Sequence, residues 1–188
     1  QFTTGRQTPF VGIKRVLPGE VLVIKNGRIV QRYQQRALPT GDVRGLTEED
    51  ALVLLDQYLE ESIDLHQRAD VDYGMFLSGG IDSSIILTMM ARLNVRPVQA
   101  FTAGFDQQSV HDERDQARRI AASVGADHEE VSFVEDDFWA LLPQVAASMD
   151  DPVADYAILP TYKLAQSAHK AGLKVILSGE GGDEFFGG

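Results

Sequence analysis

Two glycine-rich segments hold the side chains whose types and spacing could do chemistry. The first is Phe76-Leu77-Ser78-Gly79-Gly80-Ile81-Asp82-Ser83-Ser84, which follows an apolar run and opens into a stretch bearing Ile85, Ile86, Met89 and Met90. A strand, a glycine turn and a helix start make an anion site. Gly79 and Gly80 let the backbone approach a ligand, and free amides with the helix dipole favour negative charge. Hydroxyls on Ser78, Ser83 and Ser84 can add hydrogen bonds. Asp82 is the odd member, because a carboxylate beside bound phosphate repels it unless a cation lies between them, and that points to magnesium. A tight turn with a capped helix would account for a lone Gly-Gly; a strand, two glycines, an aspartate and two serines in this order point to a nucleotide. A Walker P-loop is excluded, since it ends in Gly-Lys-Ser or Gly-Lys-Thr and no lysine stands here.

The second segment, Leu177-Ser178-Gly179-Glu180-Gly181-Gly182-Asp183-Glu184, also follows a short apolar run, Val175-Ile176-Leu177. Solvated loop acids are the plain alternative for Asp183 and Glu184. Gly79 and Gly179 stand a hundred positions apart, so only a fold can bring the two segments together.

The elements that must position them alternate. Tyr73 to Leu77 reads as a strand, a helix starts at Ser83, Val98 to Thr102 is a strand, Asp112 to Val124 a helix and His128 to Ser132 a strand. Helices over 136–148 and 160–171 flank the loop 150–156, and Lys174 to Leu177 is a last buried strand. Such alternation predicts a parallel sheet with helices on its faces, and ligands in such sheets bind at the carboxyl ends of the strands. Ahead of it, Thr47 with Glu48, Glu49 and Asp50 opens a helix whose Leu52, Leu55, Leu59 and Ile63 share a face. Short strands are expected at 11–13, 21–24 and 29–30, with a hairpin turn at Asn26-Gly27, followed by a linker from about residue 36 to 45.

The segment Ser78 to Ser84 resembles the pyrophosphate loop of the ATP pyrophosphatases, the group containing asparagine, GMP, NAD and argininosuccinate synthetases. The stretch Leu177 to Gly188 resembles a signature of asparagine synthetases and the related beta-lactam synthetases, and 100–105, 150–155 and 159–162 are similar to the same family. The resemblance covers nearly the whole chain. It implies an α/β fold, a doubly wound parallel sheet of the PP-loop, adenine nucleotide alpha hydrolase-like kind with strand order 3-2-1-4 and a short N-terminal β segment. Residues 1–40 resemble the C-terminal tail of a glutamine amidotransferase domain plus linker, and 41–188 the N-terminal part of the asparagine synthetase ATP-binding domain, ending before its C-terminus.

Carried over by position, the resemblance gives Ser78, Gly79, Gly80, Asp82, Ser83 and Ser84 to pyrophosphate and metal. It gives Phe76 or Leu77, with Ala103, to adenine through their backbone, and Ser178 and Gly179 to the nucleotide. Glu180 would lie beside the aspartate substrate and Asp183 would be a second magnesium ligand, both counted as catalytic. The implied reaction is adenylylation of the aspartate side-chain carboxylate by ATP, then amidation by ammonia from glutamine, giving AMP and pyrophosphate. A related amidotransferase acting on a cell-envelope sugar, peptide or antibiotic precursor stays open, because Tyr156 stands where many relatives have a small or hydroxyl residue; so does a non-catalytic nucleotide-binding module. The amidotransferase nucleophile is an amino-terminal cysteine, absent here, and the family's catalytic lysine lies beyond Gly188. The segment alone is therefore expected to be inactive. The resemblance leaves room for a homodimer of the full-length protein.

Composition narrows the rest. The chain has 188 residues, 44% of them hydrophobic, and no cysteine, which removes disulfides and thiolate zinc. His66, His111, His128 and His169 lack metal-ligand spacing and read as ordinary surface or partly buried side chains. A net charge of -11 opposes nucleic-acid binding. No apolar run approaches the ~20 residues that span a bilayer, and Gln1 to Arg6 lacks the basic start of a secretory signal, so a cytoplasmic location is expected.

Overall fold

The computed structural model describes residues 5–36, 45–105, 113–150 and 152–186. The chain divides into two compact units, 1–45 with 146–155, and 46–145 with 156–188. The linker read over 36–45 falls almost wholly outside the described residues, as do Asp112, Asp151, Gly187 and Gly188.

In the first unit, β1 (Glu20–Lys25) and β2 (Arg28–Gln34) form an antiparallel hairpin. Asn26 and Gly27 both take positive φ, 51° and 71°, which is the twist a two-residue hairpin turn needs. Glu20 ties the unit together. Its carboxylate accepts from Arg6 Nη1 at 2.7 Å, from Arg32 at 2.9 Å and from the Leu17 amide at 2.9 Å, and these partners pull its pKa down to about 2. The strand expected at 11–13 is a turn. Gly12 sits at φ +83°, and the Thr8 hydroxyl donates to Ile13 O at 2.8 Å, so the apolar residues there bend out of any ladder.

The second unit carries the parallel sheet. Its strands are β3 (Tyr73–Phe76), β4 (Gln99–Phe105), β5 (Asp127–Phe133) and β6 (Val175–Leu177), in the order β5-β4-β3-β6, with every neighbouring pair parallel. Counted within this sheet the order is 3-2-1-4, so β3 and β6 lie side by side where the winding reverses. The helices are α1 (Glu48–His66), α2 (Ile81–Leu93), α3 (Arg114–Val124), α4 (Glu135–Ser148), α5 (Ile158–Lys170) and the short α6 (Gly182–Phe186).

Strand alternation sorts the core onto two faces. Met75, Leu77 and Ala100 pack with Leu87 and Met90 of α2, Ala117 and Ala121 of α3 and Ile63 of α1. On the other face Phe76, Phe101 and Val131 pack with Leu164 and Ala168 of α5. The helix starts follow local chemistry. The Thr47 hydroxyl accepts from the Asp50 amide at 3.1 Å to cap α1, and Gly125 ends α3 in the left-handed region at φ 70°. Gly74 in β3 has no room for a side chain, because a methyl group there would lie 2.6 Å from Gln99 O and 2.7 Å from Leu173 Cδ1. The segment 178–184 that follows β6 ends in α6.

Candidate active site

The site grows from the carboxyl ends of β3 and β6. After β3 the chain passes through Leu77 and Ser78 into Gly79, whose φ of +84° turns it sharply before Gly80 leads into α2. The turn lies against α3: a methyl on Gly79 would come 3.2 Å from Ala117 N and 3.4 Å from Gln116 Cβ. The loop is laced by its own serines. Ser78 N donates to Ser83 Oγ at 3.3 Å, the two hydroxyls are 3.0 Å apart, Gly80 N donates to Ser78 Oγ at 3.2 Å, and Ser84 Oγ donates to Gly80 O at 2.6 Å. The predicted serines are thus committed to loop shape. Ser83 is buried, while Ser78 and Gly80 face solvent.

The second segment folds directly against the first. A methyl on Gly179 would come 2.9 Å from Ser83 N and 3.2 Å from Asp82 Cβ, and one on Gly182 would come 2.5 Å and 2.6 Å from the two carboxylate oxygens of Asp82. The glycines therefore mark the seam where a hundred residues of intervening chain close on themselves. Ser178 and Gly179 are half-buried in this seam, and Glu180, Asp183 and Glu184 are exposed beside it.

Among the described residues, the carboxylates of Asp82, Glu180 and Asp183 have no hydrogen-bonding or ion-pairing partner in the protein. Asp82 is half-buried. Among the described residues no three His, Asp or Glu side chains group closely enough to hold a metal by themselves. Magnesium does not need such a cage, since it keeps water and binds through one or two carboxylates plus substrate phosphates. Asp82 and Asp183 fit that donor set.

The residues expected beside adenine lie on β3 and β4. Phe76 and Ala103 are half-buried on the face that packs with α5. Leu77 is buried, and its backbone is engaged: its amide donates to Phe101 O at 2.9 Å and its carbonyl accepts from the Thr102 hydroxyl at 2.6 Å.

Two features escaped the sequence reading. Thr102 Oγ1 also lies 2.7 Å from His128 Nε2, placing a histidine read as ordinary in contact with the stem of the loop. Burial holds the His128 pKa below its usual value; Arg118 pushes the same way and Glu130 opposes. The second is Arg114, at the start of α3. Its guanidinium lies over Gly104, where a methyl would meet Nε at 2.5 Å, and Nη2 donates to Phe105 O at 3.1 Å. A cation therefore stands at the carboxyl end of β4. The signal for it was a glycine inside an apolar strand, which marks a close approach without naming what approaches.

The asparagine synthase family profile matches residues 54–188. The chain is 35% identical over 192 residues to asparagine synthetase (glutamine-hydrolyzing) 1 of Bacillus subtilis, covering 100% of this chain and 29% of that protein. It is 33% identical over 200 residues to amidase chyE of Penicillium rubens, covering 97% of this chain and 30% of that one. The chain thus spans less than a third of the length of these relatives. Among solved structures, an ammonia-dependent NAD synthetase from Campylobacter jejuni aligns with a TM-score of 0.42 at 14% identity, over 69% of this chain and 56% of that chain.

Proposed function

The chain belongs to the asparagine synthase family, and from that premise we propose that its two facing loops bind ATP and magnesium for adenylylation of a carboxylate. The acceptor in this reading is the side chain of aspartate. Its oxygen attacks the α-phosphorus of ATP, pyrophosphate leaves, and ammonia from glutamine then displaces AMP from the acyl carbon to give asparagine. The observation that carries the reading is the contact of Gly179 and Gly182 with Ser83 and Asp82, which brings glycine turns from two neighbouring strands to the point where the winding reverses.

Each residue has a task. The Gly79–Gly80 turn and the first amides of α2 receive the β and γ phosphates, helped by the hydroxyls of Ser78, Ser83 and Ser84. Phe76 or Leu77 and Ala103 border adenine, and Ser178 and Gly179 border the rest of the nucleotide. Asp82 and Asp183 would hold magnesium, which would supply positive charge against the phosphates. Glu180 stands beside the acceptor. Catalysis in this segment is then orientation and charge stabilisation, with no general base.

The test uses the full-length gene product with ATP labelled in the α-phosphate. Aspartate-dependent release of AMP and pyrophosphate is expected. Asp82→Asn and Asp183→Asn, which keep shape and remove charge, should each lower pyrophosphate release by at least ~100-fold, the scale of one strong electrostatic contact in a transition state. Near-normal, magnesium-dependent release by both variants would refute the metal assignment. The similarity to amidase chyE and the exposed Tyr156 favour a second reading, in which the same chemistry serves another carboxylate. Release that ignores aspartate but responds to a different carboxylic acid would select it.

A further inference from the structure

We propose that Thr102 and His128 form a strut that preorganises the Ser78–Ser84 loop, acting as positioning residues through the peptide that joins Leu77 to Ser78. The directions of the hydrogen bonds fix the arrangement. A threonine hydroxyl has one proton, and at 2.6 Å from Leu77 O that proton must go to the carbonyl, which cannot donate. The 2.7 Å contact with His128 Nε2 is therefore donated by the ring, so the imidazole carries its proton on Nε2. Burial of the ring favours its neutral form, which leaves Nδ1 without a proton.

The chain of donors continues. Leu77 C=O and Ser78 N–H belong to one peptide group, and Ser78 N donates to Ser83 Oγ, which donates in turn to Gly80 O at 3.2 Å. Reading from β5 to the loop, every donor points the same way: ring N–H, hydroxyl, peptide, hydroxyl, carbonyl. Such a row polarises its members and strengthens them together. The peptide plane before the glycine turn is pinned at both ends, by Thr102 behind and Ser83 ahead, so it cannot rotate without breaking both bonds. The Leu77 amide, bonded to Phe101 O, fixes the preceding peptide as well. Thr102 is 2% exposed, so no water can take over the hydroxyl's place without a local opening.

The strut has value for ATP only if the loop receives phosphate, so the inference rests on the proposed function in that respect, and the experiment separates the two. Amide hydrogen exchange is measured on the full-length gene product without nucleotide. Thr102→Val, which keeps shape and removes the hydroxyl, should speed exchange of the 78–84 amides by about tenfold, the worth of one buried hydrogen bond, while Ala100 and Met75 in the sheet stay protected. Thr102→Ser should restore the loop to within about twofold. His128→Leu should mimic the valine variant, and His128→Gln, whose amide can donate, should recover part of the protection. Unchanged loop exchange in Thr102→Val, or equal loosening of loop and sheet that serine does not rescue, would overturn the strut. In pyrophosphate exchange the valine variant should raise KM for ATP about tenfold with little change in kcat, because ordering of the loop is deferred to binding; loosening with an unchanged KM would overturn the positioning role. A wild-type protein that never binds ATP, yet whose loop loosens in Thr102→Val, would sink the nucleotide reading and leave the strut standing.

Discussion

Adding one methyl group gives different outcomes at the two glycines of the seam. At Gly179 the new methyl would face Ser83 N at 2.9 Å, Asp82 Cβ at 3.2 Å and Ser83 Cα at 3.3 Å, against an ordinary carbon contact of about 3.5–4.0 Å. Two of those three atoms are backbone in the first turn of α2, which cannot yield without moving the helix and its core residues Leu87 and Met90. Gly179→Ala should therefore destabilise the full-length gene product by about 1–3 kcal/mol, the usual cost of overpacking, and lower its Tm. At Gly182 the methyl would face the carboxylate of Asp82, the free end of a rotatable side chain, at 2.5 Å and 2.6 Å. That end can swing away, so Gly182→Ala should cost under about 1 kcal/mol of stability and yet displace the proposed metal ligand.

The assay is pyrophosphate exchange with a thermal melt on the same samples. Gly182→Ala should melt near wild type and lose activity to about the extent of Asp82→Asn, at least ~100-fold. Because both changes remove the same carboxylate from the same place, the double variant should be little worse than either single one, a strongly non-additive cycle. Full activity in Gly182→Ala, or losses that simply add, would refute the argument that the seam serves to place Asp82.

The remaining predictions concern the frame. Gly74→Ala drives a methyl into Gln99 O and Leu173 Cδ1 and should lower the urea midpoint by the equivalent of about 1–3 kcal/mol, while leaving KM for ATP unaltered in whatever fraction stays folded. Glu20, with its pKa pulled down to about 2 from 4.5 chiefly by the Arg6 hydrogen bond, contributes stability that is complete above pH 4.5 and is lost as pH falls through about 2. Backbone amides of the hairpin followed by NMR should accordingly hold their shifts from pH 7 to pH 4.5, and Glu20→Gln should remove the acid transition. A polypeptide limited to these 188 residues has no cysteine and should release no glutamate from glutamine above a no-protein blank.

The alternating frame was legible because its pattern is local. The apolar run before each glycine turn and the helical spacing after it appear in the sequence itself, and β3, α2, β4, β5 and β6 lie within a few residues of their expected places. The order of the strands came from resemblance, since parallel neighbours such as β3 and β6 share no turn. Val11-Gly12-Ile13 failed as a strand because apolar content mimicked one, while Gly12 at φ +83° decided otherwise. Within the site, residue types at 78–84 and 178–184 were readable as chemistry, but their contact was not. A glycine records that a side chain would collide, and only the fold says that Gly182 avoids Asp82. Thr102 was silent for a related reason: a hydroxyl in a buried strand can bond its own strand, a neighbour or water, and its partners Leu77 and His128 are twenty-five or more positions away on either side.

Among the described residues, Asp82, Glu180 and Asp183 carry carboxylates without protein partners, and the chain as a whole has a net charge of -11. Triphosphate arriving alone would meet those carboxylates with the loop amides and the α2 dipole on its side. Magnesium arriving alone would find two carboxylates, too few to strip its water. Together they complete each other, because the phosphates supply the missing oxygens and the ion supplies the missing charge. ATP and magnesium should therefore bind as one ligand, with coupling between them of at least the 1–3 kcal/mol typical of linked sites. Calorimetry of ATP with and without magnesium on the full-length gene product should show affinity rising at least about tenfold with the ion, and Asp82→Asn should abolish that increment while leaving the weak metal-free binding intact or improved. Equal affinity in the two conditions would mean that the carboxylates face something other than a metal nucleotide.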